Sequence, residues 1–128
     1  MSNMNDPVVR KAVNYKPLAD LLVEVSDRYR RPILLAETGD EGDERAPWMT
    51  YVCAEVRAAL ARGVPIDGVC LYPALDYPGW DDDRHCPTGL FGGRPSPDGE
   101  RETHAPLANE LARQRHAFAA IGVPTDRL

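Results

Sequence analysis

No stretch of this sequence is apolar for long enough to cross a bilayer, and the opening residues, MSNMNDPVVRK, lack the apolar segment of a secretion signal. No membrane role is expected, and the chain reads as cytoplasmic. Positive charge is also scarce: 15 Lys and Arg against 20 Asp and Glu leave a net charge of -5. Phosphate backbones attract the opposite sign, and no basic stripe with interleaved aromatics occurs, so nucleic acid is not an expected partner. Cysteine is sparse and odd in number, Cys53, Cys70 and Cys86, with no Cys-x-x-Cys pair. A disulfide framework is not expected, and Cys53 and Cys70 read as small buried apolar groups within a helix and a strand. There is no Gly-x-Ser-x-Gly elbow and no Walker phosphate loop, which removes two common catalytic templates.

What is present is an ordinary apolar fraction, 43% of 128 residues, enough for one domain with a core. Leu18, Leu21, Leu22, Val25 and Tyr29 recur at steps of three and four, predicting a helix from Pro17 to about Arg30. RPILLAE follows, a continuous apolar run after a proline, predicting a strand buried on both faces. A polar loop then leads to a second helix starting at Pro47, with Trp48, Tyr51, Val52, Val56, Ala59 and Leu60 as its apolar stripe and Gly63 as its stop. Ile66 to Tyr72 predicts a second strand. The alternation of helix and strand is the order that produces a parallel sheet.

Pro73 to Glu102 is rich in proline, glycine and aspartate, so regular structure is not expected there. Loops of this length are uncommon unless they function or move. The first half reads as functional and residues 92–102 as a mobile loop. Thr103 is expected to cap a last helix carrying Leu107, Leu111, Phe118 and Ile121, with residues 1–15 an N-terminal extension. His104 and His116 read as surface residues. The run Asp81 to Cys86 contains metal-ligand types, but adjacent ligands on an extended chain point apart, so neither metal nor other cofactor is expected. Its aspartates read instead as capping a turn and pairing with Arg84.

Glu37 ends the first apolar run, where a rigid strand can hold a carboxylate in a fixed position. Taken alone, it is also consistent with a solvated strand end. PILLAETG resembles the strand of family 1 glycoside hydrolases, the β-glucosidase-like retaining enzymes, that ends in Thr-Glu-Asn-Gly, with Ala36, Glu37, Thr38 and Gly39 in the matching places. After the Gly-Val-Pro at residues 63–65, IDGVCLYPALDYPGW is similar to that family's last strand. Leu75, Asp76 and Trp80 fall in register, Tyr72 replaces a tryptophan, and Gly89-Leu90 matches a terminal Gly-Leu. The likeness covers roughly residues 31–91.

The resemblance implies an α/β fold: a partial TIM-barrel-like βαβα unit of two parallel strands flanked by helices, the C-terminal quarter of a (β/α)8 barrel. One incomplete barrel domain then spans residues 1–128. It implies a retaining O-glycosyl hydrolase in the full barrel, with Glu37 as the nucleophile equivalent and a carbohydrate as substrate. Tyr72 and Trp80 would stack on a sugar ring, or equally fill the core under the long loop. Asp76 would accept hydrogen bonds from hydroxyls, or orient the loop. Three departures accompany the match. Pro78 replaces an aromatic of that family's strand. Gly79 replaces the family's glutamate that holds a sugar hydroxyl, and no strand here supplies the acid/base glutamate. The isolated chain is therefore expected to be inactive, with a second copy or a complementing barrel chain as partner. The alternative from the residues alone is a small non-catalytic α/β module that binds carbohydrate or protein through the loop after Tyr72.

Overall fold

The computed structural model describes residues 15–93 and 97–124; the expected N-terminal extension lies almost wholly outside them, as do residues 94–96 of the loop expected to be mobile. Helix α1, Leu18–Tyr29, follows Pro17, whose extended conformation leads into the first turn. Strand β1, Ile33–Thr38, comes next. A short 3-10 turn, Gly42–Glu44, then leads into helix α2, Arg45–Ala61. The helix thus begins two residues before the expected Pro47. That proline sits within the first turn, where its missing N–H has no intrahelical partner to lose. Gly63 ends α2 at φ +85, a conformation costly for other residues, and lets Val64 N–H reach Ala59 O at 3.1 Å.

Strand β2, Ile66–Leu71, pairs in parallel with β1. The chain then forms four two-residue strands, β3 (Tyr77–Pro78), β4 (His85–Cys86), β5 (Phe91–Gly92) and β6 (Glu102–Thr103). The antiparallel pairs β3–β4 and β5–β6 hold the long segment after β2 in shape. Both ends of the predicted mobile loop are therefore pinned as strands. Helix α3, Ala105–Ala120, closes the described chain. Its N-cap is His104, not Thr103: His104 Nδ1 accepts the Leu107 N–H at 3.3 Å, while Thr103 is committed to β6. Acceptance at Nδ1 requires the nitrogen to be unprotonated. Burial, then the nearby Arg45 charge, shifts the His104 pKa down and favours that form, so this half-buried imidazole is not a surface residue. His116 is exposed as expected.

The core lies between the helices and one face of the β1–β2 sheet. Val52, Val56 and Leu107 are its largest fully buried side chains, with Ile33, Leu35, Val69 and Leu71 packed against it. Between α2 and α3, Gln114 is 3% exposed yet satisfied, donating to Glu110 and accepting from Arg57. Glu110 also accepts from Thr50 at 2.6 Å.

Strand β1 is not buried on both faces, contrary to the sequence expectation, and neither is β2. Leu34 is 55% exposed, and Ala36, Asp67 and Cys70 are exposed as well. Cys70 is thus a surface thiol, whereas Cys53 and Cys86 are buried. The reason is that helices cover only one side of the two strands. Helix α1 shows the same shortage of neighbours: Leu21, Val25 and Tyr29 form an exposed apolar stripe at four-residue spacing, because α2 covers only part of its apolar face.

Candidate functional site at the strand exits

Glu37 owes its direction to a bulge. Ile33 and Leu35 pack against the helical core, and simple alternation would aim Glu37 there too. Instead β1 advances three residues, Leu35 to Thr38, while β2 advances two, Val69 to Leu71. The extra residue returns Thr38 to the helix side, where its Oγ1 accepts the Trp48 indole N–H at 2.8 Å. Glu37, one residue earlier, falls on the uncovered face and is exposed. Its side chain has no hydrogen-bond or ion-pair partner among the described residues.

Tyr72 leaves β2 at the same end of the sheet, its N–H bonded to Thr38 O at 2.9 Å. The two exits touch closely. A Cβ on Gly39 would lie 2.2 Å from Tyr72 O, so no other side chain fits there without a shift. Tyr72 is 43% exposed and Trp80 85% exposed, so neither fills the core under the loop. Trp80 sits in the turn between β3 and β4, where Gly79 N–H bonds Arg84 O at 2.7 Å. Asp82 caps that turn by accepting the Arg84 N–H at 3.1 Å, as expected of an aspartate there. The Arg84 guanidinium, however, pairs with Glu41 on the β1 exit loop rather than with the aspartates. Glu41 lies within reach because the two exit loops run side by side.

Asp76 differs from the other three candidates. Its side chain is 4% exposed, and its oxygens accept from Gly89 N–H at 2.7 Å and Gly93 N–H at 3.0 Å, with His85 Nε2 at 3.2 Å. Of the two roles the sequence allowed it, this geometry is that of orienting the loop. Beside it lies Arg45, a cation the sequence reading missed. Arg45 is 8% exposed, donates to Gly42 O at 2.7 Å and Gly89 O at 2.8 Å, and stands 4.0 Å from Asp76 Oδ1. One signal was available: a cation in the first turn of a helix opposes the helix dipole and suggests work elsewhere.

Burial alone would raise the Asp76 pKa. The Gly89 and Gly93 hydrogen bonds, then His85 and Arg45, lower it below the usual 3.8. A carboxylate depressed on folding contributes stability above its unfolded pKa and loses it as pH falls through the folded value. The groups facing Asp76 are Arg45, His85 and, through its electrostatic coupling, His104. Exchange protection of the Gly89 and Gly93 amides is therefore expected to fall as the pH drops below the ordinary aspartate value of 3.8, and this acid step is expected to vanish in Asp76→Asn. An unchanged acid step in the variant would assign it to another group.

No protein-family model matches the chain, and no curated protein does. Solved structures do. The β-glycosidase from the hyperthermophile Thermosphaera aggregans superposes with a TM-score of 0.66 at 20% identity, over 85% of this chain and 22% of its own. A family 1 β-glucosidase from Thermotoga maritima gives 0.63 at 16% identity, over 77% of this chain and 26% of its own. The chain thus spans about a quarter of the length of these structures. In fold, it is a partial TIM-barrel unit: a segment of a β-glucosidase-like (β/α)8 barrel.

Proposed function

We propose that this chain is the C-terminal quarter of a retaining β-glucosidase-like glycoside hydrolase, with Glu37 as the nucleophile equivalent. The observation that carries the reading is the β1 bulge, which takes Glu37 off the helix side at the strand end where barrel enzymes hold their chemistry. Tyr72 and Trp80 supply exposed aromatic faces on the following strand exit and loop, suited to the apolar face of a sugar. Asp76 contributes by shaping that loop. Retaining hydrolysis needs a second carboxyl group about 5–5.5 Å from the nucleophile, to protonate the leaving oxygen. In this reading that group comes from barrel strands outside these 128 residues, and the chain by itself is inactive.

Two surfaces support a missing complement: the bare sheet face around Leu34 and the exposed stripe Leu21, Val25 and Tyr29 on α1. The partner is a chain or segment carrying the remaining strands, or further copies of this one. No described helix is long and apolar enough to cross a membrane. A cytoplasmic location belongs to the same reading, in keeping with three free cysteines. The test is complementation: an aryl β-glucoside is expected to be cleaved only when this chain is mixed with, or joined to, a chain supplying the other strands. Absence of turnover in an assembled, folded complex would reject the hydrolase reading.

The second reading, a non-catalytic sugar- or protein-binding module, is favoured by the 85% exposure of Trp80 on a structured turn. Under it, ligand binding by the isolated chain survives Glu37→Gln and is lost in Trp80→Ala.

A further inference from the structure

We propose that Arg45 and Asp76 are positioning residues. Together they form a clasp that joins the exit of β1 to the exit of β2 and presets half of the sugar site within this quarter of the barrel. The claim of a clasp stands on geometry alone; its consequence for sugar binding rests on the reading under Proposed function.

The two exits belong to segments far apart in sequence, and few bonds connect them. Arg45 connects them most directly, because its planar guanidinium spans two carbonyls at once: Gly42 O on the first exit loop and Gly89 O on the second. The Asp76 carboxylate then holds the second loop to the same point. Its Oδ1 takes the N–H of Gly89, the residue whose carbonyl Arg45 binds, and its Oδ2 takes Gly93 N–H. Residues 76 to 89 thereby become a closed loop whose two ends meet at one carboxylate, with Trp80 on its turn. Gly89 packs so tightly here that a Cβ would lie 2.4 Å from the Leu75 carbonyl carbon. A further bond, Gly42 N–H to Pro87 O at 2.9 Å, forms alongside.

Loss of Asp76 leaves Arg45 facing only the Gly42 and Gly89 carbonyls, and loss of Arg45 leaves Asp76 with His85 and the two loop amides. Arg45 and Asp76 are both almost fully buried, so removing either weakens the contact that holds the other in place, and Asp76→Asn in particular leaves a desolvated guanidinium with neutral carbonyls. Lysine cannot replace the arginine, because a single ammonium does not span both carbonyls in the same geometry. The clasp also lies at the edge of the fold, outside the cluster built on Val52, Val56 and Leu107. It should therefore open without unfolding the helices.

The three cysteines report this directly. Cys70 is exposed, Cys86 is buried within the clasped loop, and Cys53 is buried in the helical core. With N-ethylmaleimide under native conditions, intact-mass analysis of the wild-type chain is expected to show one rapidly modified thiol, mapping to Cys70. Asp76→Asn and Arg45→Lys are each expected to show two, Cys70 and Cys86, with Cys53 still protected and the helical circular dichroism unchanged. A single fast thiol in both variants overturns the clasp. So does simultaneous exposure of Cys86 and Cys53, which would make the pair part of the global core.

A second arm tests positioning: titration of methyl β-glucoside, followed by tryptophan fluorescence, on the chain assembled with its barrel complement. Asp76→Asn is expected to weaken binding at least tenfold although its carboxylate is occupied by the loop's own amides. Unchanged affinity alongside an exposed Cys86 overturns the positioning role. No binding by the wild-type assembly would reject the sugar-site reading, and with it the positioning role, while the thiol count still decides the clasp.

Discussion

Glu37→Gln in the complemented barrel is expected to reduce turnover of an aryl β-glucoside by roughly 10³-fold or more, because the amide removes the attacking carboxylate while preserving its shape. Loss should be in kcat more than in KM, since a glutamine of equal size still fills the site. A sharper version uses Glu37→Gly with added azide. The small anion enters the vacated space, attacks the anomeric carbon from the side Glu37 would have used, and displaces the aglycone, whose oxygen takes its proton from the acid/base carboxyl. The product is a glycosyl azide of inverted configuration, formed without the second displacement. Recovery of turnover with azide, together with that product by NMR, establishes the nucleophile role. Activity that survives Glu37→Gln without azide rules it out.

Leu107→Ala is expected to have the largest effect on stability. Leu107 is 0% exposed and lies on α3 against the core side chains of α2. Deleting most of a fully buried leucine costs about 2–5 kcal/mol, from the lost transfer energy and the cavity left behind. Single domains are stable by only about 5–15 kcal/mol, and a fold with one bare sheet face should stand near the low end. Urea denaturation followed by circular dichroism should show a clear fall in midpoint. Ile121→Ala serves as the control: Ile121 is 55% exposed just beyond α3, and its loss should change stability by about 0.5 kcal/mol or less. Equal effects at the two sites would contradict the burial that sets them apart.

Local pattern was sufficient for the three helices and the two long strands, because each is written in a short period that any few turns of chain display. The stripe from Trp48 to Leu60 is in the core as its spacing predicted, and Gly63 stops α2 where expected. The same logic failed wherever the outcome depended on a missing neighbour. Leu21, Val25, Tyr29, Leu34 and Cys70 are apolar or thiol-bearing positions that periodicity assigns to an interior. They are exposed because no element among the described residues covers them.

What the sequence determined by itself was the order of helix and strand, the acid at the end of β1 and the aromatic residues that follow β2. Only the tertiary structure decided how those residues are presented. Simple alternation along β1 would place Glu37 beside Leu35, on the helix side. The bulge that moves it arises from pairing with β2, about thirty residues away, and from the Thr38–Trp48 hydrogen bond. Likewise nothing adjacent in sequence to Asp76 announces Arg45. Their meeting is a product of two loops packed side by side, and local patterns carry no information about contacts formed at that distance.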